Sequence, residues 1–170
     1  MDLTVREPQD ETVARLAPEP ADEAEICSEL KAAYLGEKVL SQRLSALAAS
    51  RAPGWKQAHA RMVRTLADLD EVHIETLGEV LEALGASAPE RPETEHPQRG
   101  RADDVRSALV KAMESKKALE IRYVRAASLA DVEGRRPLRL RLETLAAEEA
   151  RGRRDLMTVL CRFPATRPED

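Results

Sequence analysis

The chain has few of the residues that strands, disulfide frameworks and membrane spans require. Its 170 residues include one Trp, two Tyr, one Phe and two Cys. Aromatic residues are enriched in strands, so their scarcity, beside many Ala, Leu, Glu and Arg residues, favours helices. No apolar run approaches the ~20 residues that cross a bilayer, and the acidic N-terminal region is unlike the basic start of a signal peptide. These absences predict an all-α cytoplasmic protein without a membrane partner.

The charge distribution excludes a nucleic-acid partner. The net charge is −4, and the first 25 residues alone contain eight acidic and two basic residues. The remainder is close to neutral, without the basic excess of nucleic-acid-binding proteins. Arginines cluster over 135–141 and 151–154, but they mostly fall off the core stripe and have carboxylates on both sides, which is typical of a solvated helix face. Residues 1–22 are predicted to be a disordered acidic tail, and residues 161–170 a flexible C-terminal tail.

Four stretches of apolar residues recur at alternating spacings of three and four, which predicts amphipathic helices at roughly 23–50, 54–84, 103–130 and 137–160. The connections within the first and second pairs are short, so each pair should fold as an antiparallel hairpin. The polar, proline-containing stretch 86–102 is long enough to run the length of the bundle at ~3.3 Å per residue.

The predicted fold is therefore all-α, a four-helix bundle of two antiparallel hairpins joined by a long crossover. A hinge between two separate hairpins is the alternative, and it is disfavoured because each hairpin alone would expose its apolar stripe to water. The domain prediction is one bundle over 23–160, between the two tails. Cys27 and Cys161 fall at opposite ends of such a bundle, too far apart for a disulfide, whose Cα atoms approach within about 7 Å.

Each apolar stripe is interrupted by polar residues, or by a glycine, at matching positions. A shift of 79 residues superimposes the two hairpins, which indicates a duplicated unit. The matched residues of the first and second hairpins are, in order, Glu37 and Lys116, Asp70 and Glu149, and His73 and Gly152. Counting along antiparallel helices at 1.5 Å per residue places these positions in one layer across the bundle. The sequence thus predicts a buried polar layer.

The residues of this layer resemble those of a known superfamily. Tyr34-Leu-Gly-Glu37-Lys on the first helix and Asp70-Glu-Val-His73 on the second are similar to the ligand helices of the rubrerythrin and ferritin-like di-iron carboxylate bundles. In that superfamily one helix of each hairpin supplies a Glu and the other a Glu-x-x-His. The resemblance covers about 23–160 and implies a ferritin-like fold with Glu37, Asp70, His73 and Glu149 as metal ligands.

The chain departs from the superfamily pattern at three positions. Asp70 replaces a Glu, Lys116 stands at the position of the third-helix Glu, and Gly152 stands at the position of the second His. Three carboxylates and one ammonium give the layer a charge of −2, which one divalent cation would balance. We therefore expect a partly lost di-iron site that binds at most one divalent metal, iron or manganese, without normal ferroxidase or peroxidase turnover.

Two alternatives remain open. The bundle could bind no metal and serve as a structural or partner-binding module, with Lys116 at the centre of a buried salt-bridge cluster. It could instead be an active di-iron oxidoreductase whose missing ligands come from Glu114, Glu120, Glu148 or a second chain. Leu3-Thr4-Val5 resembles a three-residue fragment of the peptides that target ferritin-like cargo to encapsulin shells, so an encapsulin-cargo-like iron protein belongs to this second alternative.

Three further expectations concern the surroundings of the layer, the source of electrons and the oligomeric state. Tyr34 and Tyr123 lie one and two helical turns from it and could hydrogen-bond to its groups, and Glu120 is one turn from Lys116 on the same face. No Cys-x-x-Cys pair exists to bring in electrons as in rubrerythrins, so an active site would need an external reductant. The protein is expected to form a homodimer or a higher homo-oligomer.

Overall fold

The structure, a computed structural model, describes residues 23–90 and 102–163. Four helices and no strand occur in these ranges. They are α1 (Glu23–Ala48), α2 (Gln57–Ala83), α3 (Ala102–Val132) and α4 (Arg136–Arg162). The observed ends agree with the predicted ones to within a few residues. The predicted N-terminal tail, with Leu3-Thr4-Val5, lies outside the described residues, as do 91–101 of the crossover and residues 164–170.

Glycines in the left-handed conformation end α2 and α3. Gly85 and Gly134 have φ angles of +69° and +67°, a region that is open to glycine because it has no Cβ. After α2, the Ala86 amide donates to the Leu81 carbonyl oxygen at 2.8 Å, and the Gly85 amide donates to Glu82 at 2.9 Å. This is a Schellman motif, which satisfies carbonyls that a helix end leaves unpaired.

The two ends of the bundle reveal its topology. At one end, the start of α1 pairs with the start of α4 through Glu23 and Arg135. At the other end, Phe163 after α4 packs edge-on against Trp55 before α2, with ring centroids 5.7 Å apart. Helices α2 and α3 therefore run in the same direction, and the chain between them connects opposite ends of the bundle. The predicted long crossover is confirmed, and the alternative of two separate hairpins is wrong because α1 and α3 pack together.

The C-terminal end of α4 differs from the prediction. The sequence predicts that the tail begins at 161, but α4 continues to Arg162 and Phe163 is 2% exposed. The cause is a cluster of three rings, in which Phe163 contacts both Trp55 and His59. Phe163 continues the apolar stripe of α4 four residues after Val159, and the 79-residue shift pairs it with Leu84, so the prediction ended this stripe one position too early.

The apolar stripes of all four helices form one core, with the polar layer halfway along it. The largest fully buried apolar side chains are Tyr123, Phe163, Ile26, Leu30, Leu40, Leu44, Leu77, Leu81, Leu109, Leu142 and Leu156. Cys27 and Cys161 are free thiols near opposite ends of the bundle, as predicted. Within the described ranges, no helix combines the length and the apolar character that a membrane span requires.

Candidate metal centre

The four predicted metal ligands lie together in the core. Glu37 comes from α1, Asp70 and His73 from α2, and Glu149 from α4. Each offers one ligand atom, and these four atoms all lie within 4.8 Å of one another. The three carboxylates are 0% exposed and His73 is 1% exposed. Asp70 and His73 share a face because residues three apart on a helix are neighbours.

His73 directs its two ring nitrogens to different partners. Its Nδ1 lies 3.2 Å from Glu37 Oε1 and 3.2 Å from Glu149 Oε1, inside the layer. Its Nε2 lies 2.9 Å from Oε2 of Glu148, whose side chain is 40% exposed. A histidine that binds a metal through one nitrogen commonly donates the proton of the other to a carboxylate. The Glu148 contact holds the ring with its Nδ1 directed into the layer.

The carboxylates around His73 decide its charge. Burial alone would lower the pKa of the imidazole, but the hydrogen bonds to Glu149 and Glu37 and their negative charges raise the pKa to about 10. Without a metal, His73 is therefore an imidazolium at neutral pH that donates from both nitrogens. A metal at Nδ1 would replace the proton on that atom.

Lys116 of α3 brings a second positive charge into the layer. Its Nζ donates to Asp70 Oδ1 at 2.8 Å and to the two Glu149 carboxylate oxygens at 3.0 and 3.2 Å, and the side chain is 0% exposed. Burial opposes its charge, but the charges of Asp70 and Glu149 outweigh burial and raise the pKa of the ammonium. Lys116 is thus a permanently charged member of the layer.

Gly152 provides the space through which the Lys116 side chain passes. A Cβ built on Gly152 would lie 2.9 Å from Lys116 Cε, 3.1 Å from Cδ and 3.3 Å from Nζ. Distances below 3.0 Å are essentially never found for a real Cβ, so any side chain at 152 would displace the lysine. The lysine and the glycine are therefore sterically linked, and the lysine occupies the place into which a histidine at 152 would project.

Two carboxylate oxygens of the layer have no hydrogen-bond partner. They are Glu37 Oε2 and Asp70 Oδ2, both fully buried. The other Glu37 oxygen accepts from the Tyr123 hydroxyl at 2.5 Å. Burial raises the pKa of Glu37 above its usual range, and burial also raises the pKa of Asp70 to about 7, against the opposing charge of Lys116. Unpaired buried acceptors beside an imidazole nitrogen form a donor set that fits a metal ion.

Among the predicted surrounding residues, only Tyr123 hydrogen-bonds to the layer in the described part of the chain. Tyr34 instead lies under the Lys38 ammonium, 4.6 Å from the ring centroid. Glu120 accepts from Arg153 at 3.0 Å and is partly exposed, so its expected place beside the layer is wrong. The buried stripe of α3 runs from Lys116 through Leu119 to Tyr123, whereas Glu120 lies beside this stripe and its carboxylate pairs with Arg153.

Glu148 makes a contact with the candidate site that the sequence did not predict. Its sequence position suggested only a replacement ligand, yet it contacts the outer nitrogen of His73. It is one residue before Glu149, hence about 100° away around the helix and off the buried stripe. Glu148 lies on the flank of α4 that faces α2. The sequence could indicate its contact with His73 only if the neighbours of each helix were already known.

Comparisons with known proteins support the fold. No family model matches the chain, and no curated protein matches it. Among solved structures, the chain is similar to one described as the crystal structure of ferritin-like, diiron-carboxylate proteins from Bacillus anthracis str. Ames, with a TM-score of 0.73. The match covers 82% of this chain and 97% of that chain at 23% identity. The fold is the ferritin-like four-helix bundle, as predicted, and this bundle contains a buried carboxylate and histidine group that could bind metal.

Proposed function

We propose that the polar layer binds one divalent metal ion, iron or manganese, through Glu37, Asp70, His73 and Glu149. The observation that carries this proposal is the cluster of four ligand atoms within 4.8 Å of one another. Two of the carboxylates in this cluster, Glu37 and Asp70, each have one oxygen without a hydrogen-bond partner. Ligands on opposite sides of one ion are about 4.2 Å apart when each bond is about 2.1 Å. The cluster therefore needs only a small contraction to surround an ion.

The bound ion would supply positive charge to a layer in which the buried carboxylates outnumber the positively charged side chains. Around the layer, Lys116 balances one of the three buried carboxylates, and His73 balances another only while it is protonated. Glu37, Asp70, His73 and Glu149 would hold a divalent ion, which would take the place of that proton and neutralise the remaining charge. Mixed carboxylate and imidazole ligands suit iron, and carboxylate oxygens suit manganese.

Lys116 is the reason to propose one ion and not two. Its Nζ contacts Asp70 and Glu149, two of the groups on which a second ion would depend. A second cation would be repelled by the ammonium and would lack both a fourth carboxylate and a second histidine. We infer that the di-iron site of the ferritin-like fold is degenerate here, without normal ferroxidase or peroxidase turnover.

A metal-free bundle is the second candidate, and one observation favours it. The Lys116 ammonium has three carboxylate oxygens within 3.2 Å, and protonated His73 has acceptors at both nitrogens. Such a cluster can exist without an ion and would act as a structural element of a partner-binding protein. An active oxidoreductase is less well supported, because Glu114 is exposed, Glu120 pairs with Arg153, and Glu148 contacts only the outer nitrogen of His73.

Metal content measured by elemental mass spectrometry tests the proposal. After purification without chelator and dialysis against ferrous or manganous ion, the wild type is expected to retain about one equivalent. His73→Ala is expected to lose it, because the variant removes the one nitrogen ligand. His59→Ala is the matched control, since it removes another buried histidine of α2 about 21 Å along the helix at 1.5 Å per residue. A wild type that stays empty at saturating metal would establish the metal-free alternative.

The affinity for the ion is expected to increase with pH. Metal binding displaces the His73 proton, whose pKa is about 10, so affinity should rise roughly tenfold per pH unit between 7 and 9. Below pH 7 the Asp70 carboxyl, with a pKa of about 7, carries a second proton that must leave, so the slope steepens toward two protons. Manganese binding measured by calorimetry from pH 5.5 to 9 checks this, and a flat profile would contradict displacement of the His73 proton.

A further inference from the structure

The charge inside the layer is fixed by groups that cannot leave it. When His73 is neutral and binds an ion, Glu37, Asp70 and Glu149 contribute three negative charges and Lys116 one positive charge. All four side chains are 0% exposed, so solvent does little to screen them. The net charge around the ion is therefore −2. A divalent ion leaves the layer neutral, whereas a trivalent ion leaves one uncompensated positive charge in the core.

We propose that Lys116 is a specificity-determining residue that makes the layer select divalent over trivalent cations. This inference rests on the proposed function, because it assumes that the layer binds an ion. For iron, the same preference favours the ferrous over the ferric ion. The protein would then hold or carry the reduced ion without promoting its oxidation, which assigns the substrate class as divalent first-row cations.

The lysine cannot avoid an incoming ion by moving away. Its ammonium is held by Asp70 and Glu149, and its stem lies against the Gly152 backbone on α4. Since the groups that hold the ammonium also offer ligand atoms to the ion, the two cations share a carboxylate environment at close range. At ~5 Å and an effective dielectric constant of ~20, each additional unit of charge on the ion meets a repulsion equivalent to more than a hundredfold in affinity. Burial keeps this effect from being screened.

The ratio of gallium(III) to zinc(II) affinity measures the selectivity without a redox reaction. Both ions are redox-inactive, similar in size and able to bind carboxylate and imidazole. Competition with nitrilotriacetate at pH 7.5, above the pKa of Asp70, would hold each free ion at a defined concentration. Lys116→Met keeps most of the side-chain volume and changes the charge around the ion to −3. The gallium-to-zinc ratio is expected to rise by at least about tenfold relative to the wild type.

Two further variants complete a charge series. Asp70→Asn brings the layer to −1 and should lower the ratio below that of the wild type. Lys116→Met/Asp70→Asn returns the layer to −2 and should return the ratio toward the wild-type value. This double variant removes both members of a buried ion pair, so it also guards against the case in which Lys116→Met fails to fold. Lys117→Met is the matched control, because Lys117 is exposed on the same helix and its loss should leave the ratio unchanged.

The outcomes separate this inference from the proposed function. If the wild type binds zinc but the ratio does not follow the charge of the layer across the series, Lys116 does not select the ion, while the single-ion function stands. If the wild type binds neither ion, both proposals fail. If the ratio follows the charge in all three layer variants and ignores Lys117, the selectivity is assigned to Lys116. Circular dichroism on each variant confirms that the compared proteins are folded.

Discussion

Gly152→His is expected to lower the free energy of unfolding by about 4 kcal/mol. The imidazole would enter space that the Lys116 side chain fills, since even a Cβ at 152 would lie 2.9 Å from Lys116 Cε. Overpacking a core costs about 1–3 kcal/mol, and displacing the ammonium from Asp70 and Glu149 adds the loss of a buried ion pair. Urea unfolding in the presence of a chelator, followed by circular dichroism, measures the change.

Alanine variants at two helical glycines provide a matched control. A Cβ added to Gly78 on α2 would meet only the Tyr34 ring, at 3.9 Å, so Gly78→Ala should stabilise the protein by about 1 kcal/mol through helix propensity. Gly152→Ala gains the same propensity but displaces Lys116, so it should be less stable than Gly78→Ala by about 2 kcal/mol. Equal effects of the two substitutions would show that Lys116 moves aside freely, and would contradict the steric link.

Substituting both Lys116 and Gly152 should restore the stability that Gly152→His loses. Lys116→Glu/Gly152→His removes the obstructing lysine and gives the second hairpin the Glu and His that the ferritin-like pattern contains. We expect the double variant to regain most of the stability in the presence of divalent metal and to retain about two equivalents. A double variant that remains as unstable as Gly152→His, or that still binds one ion, would show that more than these two residues separate the layer from a dinuclear site.

The fold could be predicted from the sequence because its signals are repeated. The stripes of the two hairpins match at every position after one shift, and short turns with glycine force each hairpin to close. The common height of Glu37, Asp70, Lys116 and Glu149 followed from counting residues along helices of known rise. These are properties of helix geometry, which depends little on the identity of neighbouring side chains.

The parts that could not be predicted depend on contacts between helices. The sequence shows Lys116 and Gly152 as two separate departures from a pattern, whereas the structure shows that one makes room for the other. Glu148 was not recognised as the partner of His73 because it lies off the buried stripe of its own helix. Phe163 continues the stripe of α4, but the sequence does not show that its ring packs on Trp55 and His59. Each of these contacts needs the distance between side chains of different elements.

Lys116→Met is expected to destabilise the metal-free protein by about 3–5 kcal/mol at pH 7. The substitution preserves the volume of the stem but leaves Asp70 and Glu149 without the ammonium that now donates to them at 2.8 and 3.0 Å. Removing one partner of a buried ion pair costs this much because the remaining charge has no water to solvate it. Thermal and urea unfolding of the metal-free variant measure the loss, and the exposed Lys117→Met should change stability by less than about 0.5 kcal/mol.

Removing the negative charge of Asp70 as well should recover much of the stability that Lys116→Met loses. In a double-mutant cycle, Lys116→Met/Asp70→Asn should be more stable than Lys116→Met by about 2 kcal/mol, because the pair disappears together and the layer returns to its original charge. Divalent metal should also stabilise Lys116→Met more than it stabilises the wild type, since the added ion takes over the role of the missing ammonium. If Lys116→Met unfolds like the wild type at pH 7, the ammonium is not what balances the buried carboxylates. Protons on Asp70 or Glu37 would then balance them, which would remove the electrostatic basis for selecting a single divalent ion.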